Sequence, residues 1–190
     1  GAHVDFELRY RGEPLDPEAY IREQRQGGTM LWKGGWHLGN KRPMTAVDWA
    51  ILRACPPSVV TLLTGEKITL DDIRGIRDLN PACTFIARPY YCPQPYSHTA
   101  VLSYMDKCIR DLEALLEVVP AQHLWLKAFN EPNQPRNHPN WEGFGADEEG
   151  MRQYNEAFLT VASGVRNRLG DVLGIGFGSL APGNRDLYFA

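Results

Sequence analysis

The amino-acid sequence predicts an α/β protein built on a parallel sheet of about five strand–helix units. Three observations support this prediction. From about residue 34 onward, short apolar segments of strand length alternate with amphipathic segments of helical length. The short segments are apolar almost throughout, which is typical of strands in a parallel sheet covered on both faces. Capping residues precede the helical segments and divide the chain into regular units.

The first 28 residues do not follow this pattern. Residues 4–10 alternate between apolar and polar side chains, which predicts a half-buried strand, and residues 16–20 have the composition of a capped helical turn. A charged, glutamine-rich stretch then ends at Gly27-Gly28. We therefore predict an N-terminal arm or linker at residues 1–28 and a β/α portion at residues 29–190.

The first three units follow in order. Their strands are predicted at residues 35–39, 59–63 and 84–87, the last running into Arg88 and Pro89. A helix starts after each of the first two strands at a capping box, formed by Thr45 with Asp48 and by Thr69 with Asp72. The second of these helices ends at Asn80-Pro81, because proline disfavours a helical residue before it.

The remaining units are longer. A helix is predicted from about residue 99 to 119, because apolar residues recur there on one stripe. The members of that stripe are Val101, Leu102, Met105, Ile109, Leu112, Leu116 and Val119. A fourth strand starts at Leu124, a helix follows from the cap Asp147 to the stop Gly170, and a fifth strand spans residues 172–177.

The end of the fourth strand is the candidate functional site. The apolar run of residues 124–129 stops at Asn130-Glu131-Pro132, where proline cannot donate to a strand ladder. Ligands of parallel α/β sheets bind at the carboxyl ends of strands, so an amide beside a carboxylate there indicates a site. The alternative interpretation is an ordinary strand-to-loop turn with a solvated glutamate.

Lys127 raises a question about this strand. It shares strand parity with Glu131, so strict alternation sends the lysine to the same face of the sheet as the acid. Two explanations remain open from the sequence: a bulge near Phe129 resets the parity, or Lys127 pairs with a buried acid.

Composition excludes several functions. The chain has 190 residues, 43% of them apolar, and a net charge of −3, so it has no basic footprint for nucleic acid. It has neither a polybasic segment for a membrane surface nor an apolar run of membrane-spanning length, and its first residues lack signal-peptide character.

The four cysteines lack zinc-site spacing. Cys55 and Cys83 precede predicted strands and either form a disulfide or act as small buried hydrophobes.

The chain resembles a known family of enzymes. The order of units, with Asn130-Glu131-Pro132 closing the fourth strand, is similar to the first five units of the (β/α)8-barrel glycoside hydrolases of the large retaining clan. That clan includes cellulases, β-galactosidases and β-xylosidases. The resemblance covers about residues 34–190 and implies a partial TIM (β/α)8 barrel. It also implies that Glu131 is the general acid/base and that Asn130 binds the sugar 2-hydroxyl.

Other site residues are expected at the same edge of the sheet, where the carboxyl ends of the strands lie. Arg88 is expected to bind a carboxylate or sugar hydroxyls, or to be a structural partner of a rim acid, and His37 to line the pocket floor or to be a structural histidine. Tyr90 and Trp141, together with Phe144, are expected to stack on sugar rings or to pack under the loops. Glu66 is a candidate to replace the clan's second carboxylate, the nucleophile after the seventh strand.

The sequence therefore predicts a retaining O-glycosidase fold with an oligo- or polysaccharide partner, no cofactor and no metal. A complete barrel takes about 250 residues, so we expect a fragment, a chain that borrows strands, or a reduced fold, inactive by itself. Exposed sheet edges predict self-association, and polymer degradation favours an extracellular or cell-surface location. The alternative function is a carbohydrate-binding or scaffold module that has lost the nucleophile. A metal-dependent barrel enzyme is disfavoured, because His37 and Glu131 provide too few ligands.

Overall fold

The fold is taken from a computed structural model of the chain. It describes residues 8–10, 13–15, 35–38, 43–64, 67–89, 97–136, 143–145, 147–170 and 174–176. The chain divides into two units, Gly1–Trp32 and Lys33–Ala190. The boundary near Gly28 stays a prediction.

The N-terminal unit contains a short hairpin. Strands β1 (Leu8–Tyr10) and β2 (Glu13–Leu15) pair antiparallel, with Leu8 opposite Leu15. The first strand lies within the predicted residues 4–10, whereas the second was not predicted, because a three-residue strand carries too little pattern. The predicted helical turn at residues 16–20 lies outside the described residues.

The C-terminal unit alternates strands and helices. Its elements are β3 (Gly35–Leu38), α1 (Ala46–Ala54), β4 (Val59–Thr64), α2 (Leu70–Leu79), β5 (Thr84–Pro89), α3 (His98–Leu116), β6 (Leu124–Lys127), α4 (Glu148–Leu169) and β7 (Gly174–Gly176). The five strands form one sheet in the order β3-β4-β5-β6-β7, and every neighbouring pair is parallel. This confirms the predicted fold class, a partial barrel of about five parallel β/α units.

The helix starts follow the predicted local chemistry. In both capping boxes the threonine hydroxyl accepts a hydrogen bond from the aspartate N–H, and the aspartate carboxylate accepts one from the threonine N–H. The Asp147 side chain accepts from the Gly150 N–H at 2.6 Å, and α4 ends at Gly170 with φ 75°. Among the described helices, none is long and apolar enough to cross a membrane.

The two faces of the sheet have different environments. Alternate residues of β4, β5 and β6 are buried against the helices, for example Leu62, Phe85 and Leu126 at 0–2% exposure. The other set, including Thr61, Ile86 and Trp125, is only half buried or exposed. We call this second set, with His37, Arg88 and Lys127, the open face. Among the described residues, the open face is therefore less buried than the face against the helices, as an open sheet of five strands implies.

Helix α3 buries different residues from those expected, and α1 buries few. On α3 the buried positions are Val101, Tyr104, Cys108, Leu112 and Leu115, whereas Leu102 is 38% exposed. The predicted stripe did not include Tyr104 and Cys108. Because both are buried, the buried face of α3 is rotated around the helix axis relative to the predicted stripe. On α1 only Leu52 is buried, and Val47 and Ile51 are exposed.

The cysteines do not form the candidate disulfide. Cys55, Cys83 and Cys108 are free thiols, so the interpretation as small hydrophobes applies to the buried Cys83 and Cys108. Cys92 lies outside the described residues. Burial raises the pKa of the Cys83 thiol to about 11, because a thiolate loses its hydration there.

We expect Cys83 to resist alkylation. With its pKa at about 11, only about one thiol in a thousand is ionised at pH 8, and the thiolate is the reactive form. Iodoacetamide should therefore label Cys83 far more slowly than the half-buried Cys55, as measured by mass spectrometry of the separate peptides. Equal labelling rates in the folded protein would contradict the burial of Cys83.

Candidate functional site at the end of strand β6

The backbone changes direction after β6. The strand ends at Lys127, and Phe129 and Glu131 then adopt positive φ angles of 60° and 49°. Non-glycine residues avoid this left-handed region, because Cβ approaches the carbonyl oxygen there. Such residues concentrate at functional sites, where the surrounding structure holds the strained backbone in place.

The left-handed Phe129 answers the question of strand parity. Its ring is fully buried, in edge-to-face contact with Phe144 at 5.4 Å and Tyr154 at 6.0 Å between centroids. Because the alternation is interrupted at Phe129, Lys127 and Glu131 no longer have to share a face. The Lys127 ammonium donates to Asn130 Oδ1 at 3.4 Å.

Glu131 is half buried and starts a closed loop. Its carboxylate accepts a hydrogen bond from Gln134 Nε2 at 3.4 Å, and its carbonyl accepts one from the Gln134 N–H at 3.0 Å. The returning chain is bonded to the outgoing one: Phe144 N–H donates to the Pro132 carbonyl at 2.8 Å and Gly145 N–H to the Gln134 carbonyl at 2.9 Å. These bonds fix the start of the loop beside the carboxylate.

Two further features close the loop. The Arg136 guanidinium donates to the Phe144 carbonyl and pairs with Asp147 at 3.2 Å, which ties the loop to the cap of α4. A Cβ at Gly143 would lie 2.2 Å from the Gln134 carbonyl oxygen, so only glycine fits at this crossing. Contacts within the loop therefore hold Gln134 in place, and Gln134 in turn holds the carboxylate of Glu131 by a hydrogen bond.

The open face carries three basic side chains, which are His37 of β3, Arg88 of β5 and Lys127 of β6. Burial of the imidazole, followed by the positive charges of Arg88 and Lys127, lowers the pKa of His37. As a whole His37 is exposed on β3, so solvent weakens the effect of the two charges. The lowered pKa favours a neutral imidazole at neutral pH, which is able to accept or donate one hydrogen bond.

The strand register explains why these groups share one face of the sheet. His37 pairs with Thr61, Thr61 with Ile86, and Ile86 with Trp125 across β3 to β6, so all four lie on one row. Arg88 and Lys127 lie two residues further along their strands, on the same face and nearer the carboxyl ends. The Trp125 ring lies against Gly174 of β7, where a Cβ would approach it to 2.3 Å.

The structure places the sequence-predicted site residues as follows. Asn130 and Glu131 follow β6 directly, while Arg88 lies within β5 and His37 within β3, both on the open face. Tyr90, Trp141 and Glu66 lie outside the described residues. Phe144 is fully buried against Phe129 and Tyr154, which decides between the two alternatives in favour of packing and against stacking on a sugar.

Sequence reasoning missed Gln134 and the bond from Lys127 to Asn130. Gln134 carries no motif of its own, and only its place two residues after Pro132 at a strand end was available as a signal. Among the described residues, no group of three or more His, Cys, Asp or Glu side chains is arranged to hold a metal ion.

Glu131→Gly is expected to be more stable than Glu131→Ala by about 1 kcal/mol, because glycine adopts a positive φ without strain. Both variants lose the bond to Gln134, so this loss cancels in the comparison. Urea unfolding measures the difference. The matched control is Glu156 within α4, where Gly should be less stable than Ala by a similar amount. The same sign at both positions would contradict the left-handed geometry of Glu131.

Comparison with known proteins gives the fold. No protein-family model and no curated protein sequence matches the chain. The structure is similar to that of a GH5-4 broad specificity endoglucanase from Clostridium longisporum, with a TM-score of 0.50 and 14% sequence identity. This match covers 78% of the present chain and 54% of the endoglucanase.

Two structures of ZgEngAGH5_4 also match. The wild type has a TM-score of 0.47 at 15% identity, and the complex with a cellotriose has 0.46 at 14% identity. Each covers 85% of the present chain and 56% of that protein, so the chain spans about half the length of the structures that it matches. At such identities the likeness concerns the fold alone. The chain has a partial (β/α)-barrel fold similar to that of GH5 endoglucanases.

Proposed function

We propose that the chain is part of a glycoside hydrolase that cleaves O-glycosidic bonds by a retaining, two-carboxylate mechanism. Glu131 is its general acid/base and Asn130 its partner. The observation that carries this proposal is the position of Glu131 directly after the fourth strand of the parallel sheet, in a left-handed conformation that the fold has to hold. The similarity of fold to a GH5 endoglucanase supports the same class of reaction.

Two steps describe the proposed reaction. The Glu131 carboxylic acid donates its proton to the glycosidic oxygen while a second carboxylate attacks the anomeric carbon, which releases the leaving sugar. The resulting Glu131 carboxylate then takes a proton from water, and the water oxygen attacks the anomeric carbon and frees the enzyme carboxylate. About 5–5.5 Å between the two carboxyl groups suits this retaining course.

Asn130 would act on the sugar itself. Because its Oδ1 accepts from the Lys127 ammonium, the Nδ2 group is left to donate to the sugar 2-hydroxyl. A hydrogen bond to this hydroxyl strengthens as positive charge develops at the anomeric carbon. Arg88, His37, Tyr90 and Trp141 are the proposed substrate-binding residues, and the name of the Clostridium enzyme suggests glucan oligosaccharides as the first substrates to test.

Proton NMR of cellotriose with the complete enzyme, which supplies the second carboxylate, tests the proposal. A retaining enzyme should cleave the sugar and release the β-anomer of the new reducing end first. Release of the α-anomer first would contradict the retaining mechanism. Shifts of protein resonances without cleavage would instead support the carbohydrate-binding alternative, and the absence of both would contradict any role in binding this sugar.

A further inference from the structure

The hydroxyl of Tyr104 joins the ends of two neighbouring strands. Tyr104 lies on α3 and is 3% exposed. Its hydroxyl oxygen accepts a hydrogen bond from the Phe129 N–H at 3.0 Å, and its O–H donates to the Pro89 carbonyl at 3.2 Å. Pro89 is the last residue of β5, and Phe129 follows the end of β6. One side chain therefore fixes both strand ends from the helix side of the sheet.

The contact falls on the residue whose backbone is strained. Phe129 has φ 60°, and the bond to Tyr104 gives its buried N–H an acceptor outside the strand ladder. The Tyr104 and Phe129 rings also stack, with centroids 4.8 Å apart and planes inclined by 29°. Hydrogen bond and ring contact act on the same residue, so together they favour its left-handed conformation over an extended one.

We propose that Tyr104 is a positioning residue for the strand end that carries Asn130 and Glu131. By holding Phe129 in the left-handed conformation, it sets the direction in which the next two side chains leave the sheet. The catalytic consequence rests on the proposed function, whereas the effect on the backbone does not. Nothing in the local sequence of Asn130 and Glu131 indicates this dependence, because Tyr104 lies 25 residues away along the chain.

Tyr104→Phe tests the proposal, because it removes the hydroxyl and keeps the ring. In NMR hydrogen exchange, the Phe129 amide should exchange at least about tenfold faster than in the wild type, since a buried N–H loses its acceptor. The Ala87 amide in the neighbouring strand should be unchanged. The backbone resonances of Asn130 and Glu131 should shift. Unchanged exchange at Phe129 together with unchanged shifts would overturn the proposal.

Tyr154→Phe is the matched control. The Tyr154 ring contacts Phe129 in the same aromatic cluster. The hydroxyl that accepts the hydrogen bond from the Phe129 N–H is that of Tyr104. In the complete enzyme with cellotriose, Tyr104→Phe should lower kcat by about 10- to 100-fold and leave KM within about threefold, because misplacing a reacting group by a fraction of an ångström is costly. Tyr154→Phe should leave both constants near wild type. A rise in KM alone, or equal losses in both variants, would indicate a merely structural role.

The two proposals fail in different ways. If Glu131→Gln hydrolyses cellotriose as well as the wild type, the function assigned to Glu131 is wrong, while the exchange rates still decide whether Tyr104 holds the turn. If the wild type does not hydrolyse cellotriose, the exchange rates and the resonances of Asn130 and Glu131 decide the positioning proposal alone. If Tyr104→Phe lowers kcat while the Phe129 amide exchanges at the wild-type rate, the proposal that Tyr104 acts by holding Phe129 is overturned.

Discussion

In the complete enzyme, Glu131→Gln is expected to lower the turnover of cellotriose by about 10²–10⁴-fold, because proton transfer by a positioned side chain contributes this much to a rate. Glutamine has nearly the same shape and can still bond to Gln134, but it neither donates an acidic proton to the glycosidic oxygen nor takes one from water. Initial rates at saturating substrate measure the effect. Unfolding in urea should confirm that the variant is folded.

The leaving group separates an acid/base from a group that only binds. Dinitrophenyl cellobioside has a leaving group that departs without a proton, so its first step should be nearly normal in Glu131→Gln. The second step should then limit the rate, and azide should accelerate it, because azide attacks the glycosyl–enzyme without needing a base. Equal losses with cellotriose and with the dinitrophenyl substrate, or no rescue by azide, would contradict the role of Glu131.

Glu148→Gln is the matched control for this experiment. Glu148 is an exposed glutamate in the first turn of α4, so the change removes one carboxylate without touching the strand end. Turnover should stay near the wild-type value. A comparable loss in Glu148→Gln would indicate a general effect of charge on the protein.

Phe129→Ala should cost about 3–5 kcal/mol in the free energy of unfolding, the usual range for removing a buried phenylalanine ring. Phe129 is 0% exposed and contacts the rings of Tyr104, Phe144 and Tyr154, so the loss leaves a cavity between three aromatic side chains. Alanine also retains the strain of the positive φ. Since domains are stable by only about 5–15 kcal/mol, this one change removes a large share of the stability.

Urea unfolding measures this loss. Leu159→Ala is the control, because Leu159 on α4 is 61% exposed and its truncation should change stability by less than about 0.5 kcal/mol. The denaturant slope should be the same in both variants and in the wild type, which shows that the same surface is exposed on unfolding. A loss at Phe129 as small as that at Leu159 would contradict the buried aromatic cluster.

The prediction from sequence was best where structure depends on neighbours along the chain. The threonine–aspartate boxes that start α1 and α2, the Asp147 cap and the Gly170 stop of α4 are all present, because each depends on residues within about one helical turn. The parallel order of five strands followed from the same regular alternation with helices.

The prediction was weakest where distant residues meet. Phe144 had an equal claim as a sugar platform or as packing, and only its complete burial against Phe129 and Tyr154 decided for packing. Cys55 and Cys83 had to be close for a disulfide, yet both are free thiols. Composition and spacing hold no information about such distances.

The sequence by itself determined that an amide and a carboxylate stand at the end of the fourth strand, because Pro132 ends the apolar run there. The tertiary structure decided how they are presented. The left-handed turn at Phe129 depends on the hydrogen bond to Tyr104, and the orientation of Asn130 depends on Lys127. The hydrogen bond between Glu131 and Gln134 depends on the bonds that Phe144 and Gly145 donate to the outgoing chain. The physical reason is that a strained backbone persists only where surrounding packing and hydrogen bonds offset its cost.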